Sequence, residues 1–223
     1  MALAASPACA QKVVDAGTWS GFGVLGSDYT YVAAAWRQPR VTCPADNARV
    51  SFWVGLDDST IEQAGTIAEC SPGKPVVYRA WWEMYQGKHS PGREPFEVSP
   101  GDEIAASVQF AHGVFTLSVA DLTNGRSFSK AETCGSAKIC KRNQAEIIVE
   151  RPGGGAYPLA DYGEIKFHET RGSSHAHRVV QYVMEHAGTV LSRCRAKDFR
   201  PRVNPLRFPE GLDSITCDWK AAE

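Results

Sequence analysis

The residues best suited to chemistry fall in three short alternating stretches. Side chains on a strand point to opposite faces with a period of two. In VSFWVGLD, Val50, Phe52, Val54 and Leu56 therefore share one face, and Ser51, Trp53, Gly55 and Asp57 share the other. The first face is a core. The second, read as the solvent side, sets an indole beside a glycine and an acid, which offers an apolar platform, room for a ligand backbone and a hydrogen-bond acceptor. In PVVYRAWWEMY the same parity groups Val77, Arg79, Trp81, Glu83 and Tyr85, and in AEIIVERP it groups Glu146, Ile148 and Glu150. If these strands lie in one sheet, they line a groove with Trp53, Trp81, Glu83 and Glu150, with Gln63 of IEQAG at its edge. Carboxyls in such a place can act as general acid and base.

Each of these residues also has a plainer structural reading. Glu and Gln on strands are usually solvated, a tryptophan can pack under a loop, and Arg79 with Glu83, two positions along the same strand face, can form a simple surface ion pair. The other familiar catalytic signatures are missing: no GxSxG, no HExxH, no phosphate-cradling GxxxxGK[ST], and no Asp-Thr-Gly or Asp-Ser-Gly. His175 and His177 in SSHAHR have the spacing of two metal ligands, yet a polar loop with two histidines is more often solvated.

The elements that must carry these residues are strands. Segments of five to ten alternating residues are separated by turn signals, the pattern of an antiparallel sandwich or barrel, and long helices are nearly absent. Asn124-Gly125 predicts a two-residue hairpin turn. HRVVQYVMEHAGTVLSR fits a helix about as well as two strands joined at Ala187-Gly188, and we read it as strand. The expected organisation is an N-terminal segment over 1–16, a signal remnant or unstructured, followed by one β-sandwich domain over 17–223.

Composition narrows the setting. With 43% hydrophobic residues the 223-residue chain can bury a sizeable core, and a formal charge of -1 gives no reason to expect nucleic acid or an anionic membrane as partner. No run of about eighteen apolar residues occurs. The seven cysteines lack metal-site or CxxC spacing, which points to disulfides in an exported protein. Cys9 is the natural odd one out. Cys194–Cys217 would tie down the C-terminal segment and Cys134–Cys140 would close a short loop, although connectivity does not follow from sequence.

Taken in order, the stretches WSGFGVLG, YTYVAAAWRQPRVTC, FWVGLDD, IEQAG, AWWEMY, SPGDEIAASV, LTNGRSF, AEIIVERP and YGEIKF resemble the glutamic peptidases of the G1 family, the eqolisins. The resemblance runs from Trp19 to Phe167, and more loosely to Trp219. It implies a sandwich of two antiparallel sheets with a substrate groove across one of them, and secreted, acid-acting endopeptidase activity that is insensitive to pepstatin. It implies Gln63 and Glu150 as catalytic residues, and Trp19, Trp53, Asp57, Trp81 and Glu83 as substrate-binding positions. The implied partners are polypeptide substrates, with no cofactor, no metal and a monomeric protein. The chain also departs from the fungal pattern. Where fungal members tend to carry an acid after the catalytic Gln-x-Gly, it has Ile67, and where they carry one before the Ala-Trp block, it has Arg79; both losses weaken the case for a strongly acidic optimum.

A Gln and a Glu make a coherent dyad. The carboxyl can take a proton from water and return it to the departing nitrogen, and an amide is a neutral donor to an oxyanion at every relevant pH. Two rivals share the same pattern: a carbohydrate-binding sandwich with a tryptophan-lined groove, and a glycoside hydrolase using Glu83 and Glu150. Gln63 separates them, because only the peptidase requires it.

Overall fold

The alternation read from the sequence becomes fifteen strands. In the computed structural model, residues 12–56, 62–84, 93–134, 140–173, 178–197 and 214–220 are described. The strands are β1 (Lys12–Asp15), β2 (Trp19–Leu25), β3 (Tyr31–Arg37), β4 (Arg49–Leu56), β5 (Glu62–Glu69), β6 (Val77–Met84), β7 (Arg93–Glu97), β8 (Glu103–Ala111), β9 (Val114–Asp121), β10 (Arg126–Thr133), β11 (Gln144–Glu150), β12 (Glu164–Ser173), β13 (Arg178–His186), β14 (Thr189–Lys197) and β15 (Ser214–Trp219). The helical content among the described residues is a single 3-10 turn, Gly153–Gly155.

Hydrogen bonding runs in the order β10-β9-β8-β3-β12-β15-β14-β13-β2-β11-β4-β5-β6-β7. These pairs are antiparallel, and β1 adds to β13 in parallel. The ribbon folds over on itself, so that β3, β8 and β9 pack across β4, β5, β6 and β11. The result is a sandwich of two antiparallel layers joined through β12, β15, β14 and β13.

One face of each layer fills the space between them. Val50, Phe52, Val54 and Leu56 of β4 are fully buried there with Val32 and Trp36 of β3, Ile104 and Val108 of β8, and Phe115 and Leu117 of β9. Truncating one such large side chain to alanine costs about 2–5 kcal/mol. No helix of the described residues is long and apolar enough to cross a membrane.

Local expectations met different outcomes at the two hairpins. β13 and β14 are joined by Ala187 and Gly188, both at positive φ (50° and 84°), the two-residue turn that the strand reading required. At Asn124-Gly125 the tight turn does not form. Arg126 pairs with Asp121, leaving a four-residue connection in which Gly125 takes positive φ (68°) and Asn124 does not. The Asp121 carboxylate explains the difference: it accepts from Asn124 N at 3.0 Å and Asn124 Nδ2 at 2.8 Å and pairs with Arg126, which stabilises a side-chain-capped loop.

Three disulfides form, Cys134–Cys140 and Cys194–Cys217 as anticipated, and Cys43–Cys70. Cys9, His175 and His177 lie outside the described residues.

Candidate active site

The outer face of β6, β5, β4, β11 and β2 carries the residues singled out by parity. Register sets them in rows across the sheet. One row reads Glu83, Gln63, Gly55, Glu146, Gly23; the next, Trp81, Gly65, Trp53, Ile148, Gly21, Tyr182; the third, Arg79, Ile67, Ser51, Glu150, Trp19. Gln63, Glu150, Trp19, Trp53, Trp81 and Glu83 therefore stand on one surface. Asp57, which would continue this face past Gly55, lies outside the described residues.

Trp53 is not the solvent-side platform that its position suggested. It is 1% exposed and forms a second apolar cluster with Trp81 and Ile148, against which Trp19, Ile67 and Tyr182 pack. The correction has a physical cause: neighbouring glycines let the indole lie down on the sheet. A Cβ at Gly55 would sit 3.0 Å from Trp53 Cζ3 and 3.4 Å from Gln63 Cβ, and one at Gly65 would meet the Phe52 carbonyl at 2.0 Å and Trp53 Cβ at 2.7 Å. The benzo edge of the ring, at Cζ3, thus lies beside Gly55, the residue paired with Gln63. At its other end Nε1 donates to Glu150 Oε2 at 2.8 Å.

Trp19, directly across from Glu150 on β2, also donates a hydrogen bond to that carboxyl. Its ring meets Trp53 edge-on at 5.3 Å and Tyr182 at 5.9 Å. Two indole donors favour the carboxylate, yet the sum goes the other way. Burial pushes the Glu150 carboxyl up from its ordinary 4.5 to about 7, with the Glu83 charge contributing in the same direction against the two indole bonds.

Gln63 is 7% exposed, and its Nε2 donates to Glu83 Oε2 at 3.0 Å. That bond fixes which way the amide faces. Arg79 has the structural role of an ion-pair partner, with Glu69 Oε2 at 2.9 Å. The site can therefore present a carboxyl of raised pKa and an oriented neutral amide on one apolar floor.

Several contributors escaped sequence reasoning. Tyr182 sits in the stretch that fits helix or strand alike, and its place beside Trp19 depends on β13 joining β2. Glu146 shared the face of Glu150 by parity but is 1% exposed, held by Gln144 Nε2, which also donates to the Tyr182 hydroxyl. Glycines as the hollows that receive an indole were legible only as gaps.

Comparisons with known proteins agree with this fold. Scytalido-glutamic peptidase, solved with a peptide-based transition-state analogue, superposes with a TM-score of 0.72 at 21% identity, covering 93% of this chain and 100% of that one. SCP-B, an eqolisin in complex with the tripeptide Ala-Ile-His, gives 0.68 at 20% identity over the same shares. Aspergilloglutamic peptidase from Aspergillus niger gives 0.60 at 23% identity, covering 78% of this chain and 99% of that one. A search of curated proteins finds no match. The family model described as Peptidase A4 family matches residues 17–198, and the chain belongs to that family, the glutamic peptidases.

Proposed function

We propose that the chain is an endopeptidase in which Glu150 and Gln63 share the water that hydrolyses the peptide bond. The observation that carries this reading is the register, which sets Gln63 and Glu150 on one face of the sheet with the Trp53 row between them, the Trp53 N–H bonded to Glu150. Ionised Glu150 takes a proton from the water as its oxygen bonds to the scissile carbonyl carbon, and the carbonyl electron pair moves onto oxygen. A Gln63 N–H stabilises that oxyanion. The Glu83 bond engages one Nε2 hydrogen and leaves the other to donate. As the C–N bond breaks, the proton held by Glu150 passes to nitrogen, and the carboxylate is restored.

Trp19, Trp53, Trp81 and Glu83 line the substrate groove in this reading, and Asp57 is a further substrate-binding position implied by the resemblance. Trp81 Nε1, buried without a hydrogen-bond partner among the described residues, is a donor for a substrate carbonyl. All the machinery lies on one sheet, which also takes in β1 from within the 1–16 segment expected to be unstructured, so a monomer suffices. Three disulfides favour an oxidising, extracellular setting. A carbohydrate-binding or glycosidase reading leaves Gln63 without a role.

The raised carboxyl moves the working range away from strong acid. A general base works best when its pKa lies near the operating pH. The free enzyme needs the carboxylate, so kcat/KM should fall as pH drops through about 7. Casein digestion across pH 3 to 9 tests the whole reading, with wild type, Gln63→Ala and Glu150→Gln, in the presence of pepstatin and EDTA. Losing one oxyanion donor typically costs about 10²–10³ in rate, and losing the base should cost more. Full activity in either variant, or loss of wild-type activity to either inhibitor, would sink it.

A further inference from the structure

Trp19 donates to Glu150 from the very end of its strand. It is the first residue of β2, and Glu150, its partner across the ladder, is the last residue of β11. On the other side of β2 the ladder to β13 stops at Gly21, two residues short of Trp19. Backbone pairing therefore does little to aim this partly exposed indole on the β13 side, and its direction depends on what touches the ring. Two rings do so edge-on, Trp53 at an interplanar angle of 81° and Tyr182 at 88°. Edge-to-face contacts of this kind are favourable and directional.

Tyr182 is much better anchored than the indole it touches. It pairs with Gly21 of β2 on one side and with Val14 of β1 on the other. Its ring fills the space that a side chain at Gly23 would need: a Cβ there would meet Tyr182 Cε2 at 2.9 Å, the Tyr182 hydroxyl at 3.2 Å and Gln144 Nε2 at 2.7 Å. The hydroxyl accepts from Gln144 Nε2, which also donates to Glu146 Oε1. Gln144 and Glu146 are 2% and 1% exposed. A buried carboxyl is costly unless it is hydrogen-bonded. Glu146 moves no proton in the mechanism above; what its bond does is turn the nitrogen of the Gln144 amide toward the acid and the tyrosine.

We propose that Tyr182 is a positioning residue of the peptidase: held at its hydroxyl by Gln144 and, through it, by Glu146, its ring keeps the Trp19 indole aimed at Glu150. The inference rests on Glu150 being the base of a peptidase. Its sign is opposite to that of simple loosening. A neutral donor favours the carboxylate, so an indole that swings away raises the Glu150 pKa, whereas a loosened site that only admits water lowers it. Exchanging Tyr182 for Phe or Leu leaves in place the charged side chains around Glu150 among the described residues, which are Glu83 and Arg79 of β6, Glu69 of β5, Arg49 of β4, Glu146 of β11 and Arg151 just after it.

The test follows tryptophan fluorescence from pH 4 to 9 in a Gln63→Ala background, which prevents self-digestion. The component that Glu150→Gln abolishes reports the Glu150 midpoint. Trp19→Phe should raise that midpoint by about half to one pH unit, the effect of losing one hydrogen bond. Tyr182→Leu should raise it in the same direction, and Tyr182→Phe, which keeps the ring and loses the hydroxyl, by less. Trp19→Phe combined with Tyr182→Leu should shift it no further than Trp19→Phe alone, because the effect passes through the indole. In the background that retains Gln63, the acid limb of kcat/KM should move with the midpoint. An unmoved or lowered midpoint in Tyr182→Leu, or shifts that add in the double variant, would overturn the proposal. If Tyr182→Leu does not fold, Tyr182→Phe decides by the same two criteria. Coupled midpoints in a native protein that cleaves no peptide would keep the positioning role and end the peptidase reading, and uncoupled midpoints in an active one would do the reverse.

Discussion

Glu150 ties the site to folding stability in a way that can be measured without substrate. Its carboxyl lies at about 7 in the fold against an ordinary value of 4.5, so between those values the folded protein holds a proton that the unfolded chain has released. The sign follows from linkage: stability is full below about 4.5, falls as pH rises through the interval, and levels off above about 7. At about 1.4 kcal/mol per pH unit the whole interval is worth about 3 kcal/mol, and residual solvent contact of this partly buried side chain brings it toward about 2. Glu150→Gln cannot ionise, so it should lack this component while keeping the size of the side chain. Denaturation by urea at pH 4 and pH 8, with the disulfides oxidised and Gln63→Ala in both proteins to suppress self-digestion, compares the two directly. The protein retaining Glu150 should lose about 2–3 kcal/mol more than the Glu150→Gln form between the two pH values, a difference of roughly 5–10 °C in Tm for a chain of this size. Parallel pH profiles would refute the claim that the fold buries this carboxyl at the expense of its charge.

Other perturbations act on the same assembly. Trp53→Phe removes the 2.8 Å donor to Glu150; because that bond holds the pKa down, the acid limb of kcat/KM should shift to higher pH, and an unmoved limb would contradict the assigned contact. Glu83→Gln removes a nearby negative charge, so the same limb should shift to lower pH, while kcat falls as Gln63 loses its fixed orientation. Gly65→Ala forces a Cβ to within 2.0 Å of the Phe52 carbonyl; it should destabilise the protein by about 1–3 kcal/mol or more in chemical denaturation.

Much of the arrangement was legible because strand parity is local. Val50, Phe52, Val54 and Leu56 were assigned to the core and Trp53 to the opposite face from eight letters, and the structure keeps that division. The hairpin at Ala187-Gly188 was also readable, while the one at Asn124-Gly125 was not, because Asp121 captures the loop from outside the dipeptide. The rows of the site were beyond local reasoning. Trp53 and Glu150 are 97 residues apart, and nothing within either segment says that β11 inserts between β2 and β4.

By itself the sequence determined which side chains share a face along each strand, that the chain builds antiparallel layers with long helices nearly absent, and, through its ordered motifs, the family to which it belongs. Those properties follow from a two-residue period and from turn chemistry, both of which act over a few positions. The tertiary structure alone decided that the indole of Trp53 is buried with its benzo edge beside Gly55, that Glu83 orients Gln63, and that Glu150 is pushed to about 7. The reason is that register and burial are set by distant segments packing together, and a carboxyl's charge state depends on how much water that packing leaves around it.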